Sequence, residues 1–234
     1  MKLKGIFISF LVVMLTACST TPNSEEGSPI QENREGKNME QQLISAAAEG
    51  DTKTVLELLE DGADINATNN QGVTAVMAAT QKNKVDTVKV LIEKGADINI
   101  RNNNKDNVLL YAGAEGLLEI VKLAVQAGAD TTITNRFGGT ALIPASDRGH
   151  VDIVKELLTN SDTDVNHLNN LHWTALLEAV ILGNGEENYQ EIVQLLVDHG
   201  ADVNISDKDG VTPLEHAEKR GFKEIERILK EAGA

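Results

Sequence analysis

Gly62-Ala63-Asp64-Ile65-Asn66 decides how this chain is read, because the phrase comes back. It returns as Gly95-Ala96-Asp97-Ile98-Asn99, as Gly128-Ala129-Asp130 and as Gly200-Ala201-Asp202-Val203-Asn204. The first three copies start 33 residues apart. A fixed period of that size signals stacked supersecondary units. In each copy the Gly ends a helical run, and Asp and Asn can hydrogen-bond local backbone as the chain enters a turn.

Two further columns keep the same period. Ala46, Ala79, Ala112, Ala145, Ala179 and Ala217 recur at intervals of 33, 33, 33, 34 and 38 residues. Each falls in the middle of a first helix, where a small side chain lets the neighbouring backbone approach. Four residues on stand Gly50, Asn83, Gly116, Gly149, Gly183 and Gly221. A residue joining two helices this tightly is expected in the left-handed conformation, which Gly adopts freely and Asn next best. Second helices follow, such as Thr54-Val55-x-x-Leu58-Leu59 and Ile153-Val154-x-x-Leu157-Leu158. They carry the i, i+3, i+4 stripe of short helices that need neighbours to be stable.

On these columns the chain resembles the ankyrin-repeat family. The family's Thr-Pro-Leu-His phrase is matched by Thr74-Ala75-Val76-Met77, Thr140-Ala141-Leu142-Ile143, Thr174-Ala175-Leu176-Leu177 and Thr212-Pro213-Leu214-Glu215, with Asn107-Val108-Leu109-Leu110 as its weakest copy. The family's His is missing from every copy. The resemblance implies an all-α ankyrin-repeat solenoid of about six helix-turn-helix units, with short β-hairpin fingers between them. The expected repeats are 39–71, 72–104, 105–137, 138–171, 172–209 and 210–234, together one domain, 39–234. The first and last have the form of capping repeats.

The N-terminal residues differ from the rest. Lys2 and Lys4 precede a run from Ile6 to Leu15 that is apolar except for Ser9. This is too short to span a bilayer and suits a signal peptide. Leu15-Thr16-Ala17-Cys18 resembles the bacterial lipoprotein cleavage box, and Cys18 is the single cysteine. The expectation is a leader over 1–17, a lipidated Cys18 and a flexible tether over 18–38; an ordinary secretory leader with an unrelated cysteine is the alternative. Two or more acyl chains would anchor the protein stably on the extracytoplasmic side of a bacterial envelope membrane. With no further cysteine, the folded part is expected to be held by packing alone.

The formal charge is -15. Of 21 Lys and Arg, two lie in the leader, and the remaining 19 face 36 Asp and Glu. That balance argues against nucleic acid as a partner. Motifs for catalysis are missing too: no Gly-x-Ser-x-Gly, no His-Glu-x-x-His and no phosphate-binding loop. Asp147, Arg148 and His150 are the nearest approach to a catalytic set, and they make a hydrolase the rival reading. Asp202 to Gly210 only faintly suggests a calcium loop, because its sixth and twelfth positions are wrong. No metal, cofactor or catalytic residue is therefore expected.

Binding is the stronger reading, with another protein as partner and a monomeric chain. The period fails twice, at Asn160-Ser161-Asp162-Thr163-Asp164 and in an insertion around Asn184 to Tyr189. Gly183 to Ile192 is five residues longer than Gly149 to Ile153. Insertions of this kind form loops on one face of a solenoid, either as function or as tolerated surface. Between the failures stands Trp173, the only Trp, at the place of Val73, Asp106, Gly139 and Val211. The expected contact patch is Arg136, Phe137, Arg148, Leu171, Trp173 and Tyr189; the alternative is that Phe137 and Trp173 fold onto the neighbouring finger. Phrases of this region, such as Trp173 to Gly183, resemble small exported bacterial ankyrin proteins. That resemblance implies either an immunity partner for a secreted toxin or an accessory of catalase and oxidative stress, with general envelope scaffolding behind them.

Overall fold

The computed structural model describes residues 29–234, and side chains from residue 38 onward. The leader, Cys18 and residues 18–28 of the tether lie outside the described residues. Six inner helices are α1 Pro29–Glu49, α3 Ala75–Gln81, α5 Val108–Glu115, α7 Leu142–Asp147, α9 Ala175–Leu182 and α11 Pro213–Arg220. Six outer helices are α2 Thr52–Glu60, α4 Val85–Glu93, α6 Leu118–Gln126, α8 Val151–Asn160, α10 Glu187–Asp198 and α12 Lys223–Glu231. Each inner helix packs on its own outer helix and on the next inner helix, as the outer helices do among themselves. The alanine column is buried throughout and lets the inner helices sit close.

Three sequence expectations change. The family resemblance implies β-hairpin fingers, yet no strand is present among the described residues. Each finger is instead a turn gathered around one acceptor side chain. Asn69 Oδ1 accepts the Gln71 and Val73 N–H, and Asn102, Asn135, Asn169 and Asp207 repeat the arrangement. Within the span 18–38 expected as a tether, α1 begins at Pro29. Pro suits the first helical position, and Gln, Glu, Arg and Lys behind it are good helix formers.

The third change falls on the insertion. Gly50, Asn83, Gly116, Gly149 and Gly221 have positive φ as expected, but Gly183 is extended at φ -62° and ψ 167°. The left-handed residue is Gly185, φ 76°. The added residues postpone the turn, and the space at Gly183 goes to the Tyr189 ring. A Cβ there would lie 2.2 Å from the Ala179 carbonyl oxygen and 2.5 Å from that ring.

The Gly-Ala-Asp-x-Asn phrase divides its work between two residues. Asp64, Asp97 and Asp202 each accept the N–H two residues on, closing the local turn. The Asn side chains reach forward instead. Asn66, Asn99 and Asn166 accept the N–H of Asp97, Asp130 and Asp202 in the next repeat, at 2.8, 3.0 and 2.8 Å. Repeat three carries Thr132 in place of this Asn, and its joint to repeat four is made by Thr131 Oγ1 donating to Asp162 at 2.7 Å.

Candidate functional site

A groove runs between the inner helices and the fingers. Over repeats one and two it opens to about 380 Å³, where residues such as Gln41, Ile44, Ser45, Gln71, Ala78 and Gln81 line it and none carries a charge. A second widening of about 260 Å³ lies over repeats three and four and is chemically richer. Asp106, Tyr111, Glu115, Arg136, Phe137, Asp147 and Arg148 line it.

Three of the six patch residues meet there. Arg136 places its guanidinium 4.7 Å from the centre of the Phe137 ring at the finger tip, a favourable cation–π contact. Phe137 nevertheless stays 59% exposed, so it does not fold away. Arg148 donates to the Ala114 carbonyl at 2.6 Å and to Glu115 at 2.7 Å, which turns its charge toward repeat three. The next finger adds Leu171, 53% exposed at its tip. The Phe137 carbonyl accepts the Asn170 N–H at 2.9 Å and holds the two tips together. Trp173 is half-buried, its backbone bound to Asn169.

Tyr189 does not join them. Its ring lies against Gly149 and Gly183, and its hydroxyl donates to the Asp147 carbonyl at 2.8 Å. It works as a wedge between repeats four and five.

The sequence reading missed two residues. Glu178, on α9, is 7% exposed and accepts from Asn169 Nδ2 at 2.7 Å. Burial, reinforced by the nearby Asp147 charge and only partly offset by Asn169, pushes its carboxyl up to about 7. Asp147 is itself raised by burial, against the pull of Arg148. Leu182, at the end of α9, is 50% exposed. It stands where Glu49, Lys82, Glu115, Arg148 and Arg220 stand in the other repeats. An apolar residue in an otherwise charged column was one signal that could have found them. The other was an acid at 178, opposite Ser45, Ala78, Tyr111 and Pro144.

Asp147 and His150 are not brought together as a catalytic pair. The His150 ring contacts the Ala114 carbonyl at 3.2 Å and packs over Gly116. His216 contacts Asp207 at 2.8 Å, and first the Val211 N–H and then this histidine hold the Asp207 carboxyl low. The faint calcium-like stretch is occupied by the same turn bonds, since Asp202 and Asp207 accept backbone N–H groups. Among the described residues no group of acids, histidines or cysteines is arranged to hold a metal, and no helix is long and apolar enough to cross a membrane.

Comparison with known proteins gives consistent matches. The family model for ankyrin repeats matches in three copies, over 43–135, 109–207 and 145–234. A crystal structure of an ankyrin repeat domain from Acinetobacter baumannii AYE is 51% identical with a TM-score of 0.81, covering 82% of this chain and 98% of that one. A second solved ankyrin repeat protein is 41% identical with a TM-score of 0.78, covering 81% of this chain and 96% of that one. A curated ankyrin repeat protein, YahD of Escherichia coli (strain K12), is 51% identical over 80 residues, which is 34% of this chain. The match spans only 40% of YahD's own length.

Proposed function

Because the chain belongs to the ankyrin-repeat family, we propose that it acts as a protein-binding module without catalysis of its own, held on a bacterial envelope membrane by lipid on Cys18. Ankyrin repeats are protein–protein interaction modules. The observation that carries the reading for this chain is where its apolar surface lies. Among the described residues the large hydrophobic side chains left exposed are Phe137, Leu171 and Leu182, all on the fingers and inner helix of repeats three to five. Their confinement to three consecutive repeats supports an interaction surface in that part of the solenoid. The engagement of the His150 ring with the Ala114 carbonyl rather than with Asp147 speaks against the hydrolase reading. The Leu15-Thr16-Ala17-Cys18 box supports the anchor.

Two experiments test this. Cross-linked capture from the chain's own membranes should be lost in Phe137→Ser/Leu171→Ser, with thermal unfolding unchanged because both side chains are more than half exposed. Undiminished capture would refute the patch. Cys18→Ala should move the protein out of the membrane fraction and abolish fatty-acid labelling; retention in membranes would refute the anchor. The captured protein assigns the role: a secreted toxin marks an immunity protein, a catalase an oxidative-stress accessory.

A further inference from the structure

On α9, Glu178 holds the column that Ser45, Ala78, Tyr111 and Pro144 hold where they line the two hollows, and α9 packs on α7. Glu178 and Leu182 are four residues apart and share a helix face, and Leu171 stands at the finger tip that leads into the same helix. Asp147 comes from the neighbouring α7. Neither carboxylate is held in an ion pair among the described residues. Glu178 has one oxygen on Asn169, and no cation acts on it.

The cations nearby are committed elsewhere. Arg148 is held by the Ala114 carbonyl and Glu115 on repeat three. On α11, Arg220 donates to the carbonyls of Ile181 and Gly183, and His216 is bound to Asp207. From α10, Tyr189 brings a hydroxyl that goes to the Asp147 carbonyl. Two partly desolvated acids are therefore left without an ion-pair partner, Glu178 one helical turn from the exposed Leu182, and a buried charge without a partner is costly.

We propose that Asp147 and Glu178 receive a lysine or arginine side chain of the partner protein, with apolar residues on either side of that cation resting on Leu171 and Leu182. This deepens the binding reading above and rests on it. A positive charge entering between the two acids relieves their mutual repulsion and supplies Glu178 with the counter-ion it lacks. The cation favours ionised Glu178, so binding expels a proton and tightens as pH rises through neutrality.

The test uses the full chain and three capped heptapeptides that are identical except for a central lysine, glutamine or glutamate between leucines. The lysine peptide should bind at least about tenfold tighter than the glutamine peptide and shift the methyl signals of Leu171 and Leu182. Its affinity should rise from pH 6 to pH 8. Asp147→Asn/Glu178→Gln should erase both the lysine advantage and the pH dependence. The amide that replaces the Glu178 carboxylate can still accept from Asn169, so the fold is kept. The proposal is overturned if no peptide binds, if lysine and glutamine peptides bind alike, if the glutamate peptide binds best, or if the double variant keeps the lysine advantage. If any of these occurs while Phe137→Ser/Leu171→Ser still abolishes capture, the cation site falls and the binding surface stands.

Discussion

At position 178 a carboxylate occupies a column that other repeats fill with Ser45, Ala78, Tyr111, Pro144 and His216. Its environment makes the stability of the whole chain depend on pH. With the folded group raised from 4.5 to about 7, the folded state holds its proton more tightly than the unfolded chain does. Stability from this group is complete below about pH 4.5 and is lost as pH rises toward 7 and beyond. The loss is on the order of 3 kcal/mol, since each pH unit between those two values is worth about 1.4 kcal/mol. Urea unfolding should therefore show Glu178→Gln as more stable than the parent at pH 8 and nearly equal to it at pH 4. A parallel pH dependence in both proteins would remove Glu178 as the cause. The periodicity of the sequence placed residue 178 on an inner helix, but its proton affinity depends on Asp147 from the preceding repeat and on depth of burial. Neither is written locally.

Two helices show how a single residue resets an element. Thr74, Thr174 and Thr212 cap their inner helices by accepting the N–H three residues on. The equivalent Thr140 Oγ1 is buried without a partner, and α7 has only six residues. Pro144, four residues on, has no N–H for the Thr140 carbonyl, and the Ile143 N–H that would cap Thr140 Oγ1 donates to that carbonyl instead, at 3.2 Å. Pro144→Ala should lengthen α7 and stabilise the protein by about 1 kcal/mol, detected as a higher denaturation midpoint and slower amide exchange in α7. No gain would mean that the unpaired Thr140 costs nothing. The opposite sign is expected at Gly183, where an added Cβ would meet the Ala179 carbonyl oxygen and the Tyr189 ring. Gly183→Ala should cost about 1–3 kcal/mol and free the Tyr189 hydroxyl from Asp147, visible as a change in tyrosine fluorescence. The position of the insertion was legible from the count between Gly183 and Ile192. The extended backbone at Gly183 was not, because it depends on a ring six residues away filling the space.

Across the molecule, stability is a chain of neighbouring joints rather than one central core. The fold class and the helix pairs could be read from the sequence because the alanine, glycine and Gly-Ala-Asp columns state their period outright. The partners of the Asn side chains could not, since a period locates residues without saying whether a hydrogen bond stays within a repeat or leaves it. Asn99→Ala removes the acceptor for the Asp130 N–H and should cost about 0.5–1.5 kcal/mol. The loss should appear as faster amide exchange at the joint that Asn99 makes with Asp130, with the terminal repeats unaffected. Uniform acceleration along the chain would show that the solenoid unfolds as one unit.

The spacing of those joints also sets how this gene can change length. The bonds from Asn66 to Asp97 and from Asn99 to Asp130 each span 31 residues. One 33-residue block can therefore be duplicated or lost among the early repeats and leave like joints on both sides. The bond from Asn166 to Asp202 spans 36, and Tyr189 locks that longer unit to repeat four. Repeat five is not exchangeable with its neighbours. The early repeats are free to vary in number, and the segment bearing Leu171, Glu178 and Leu182 has to be inherited whole.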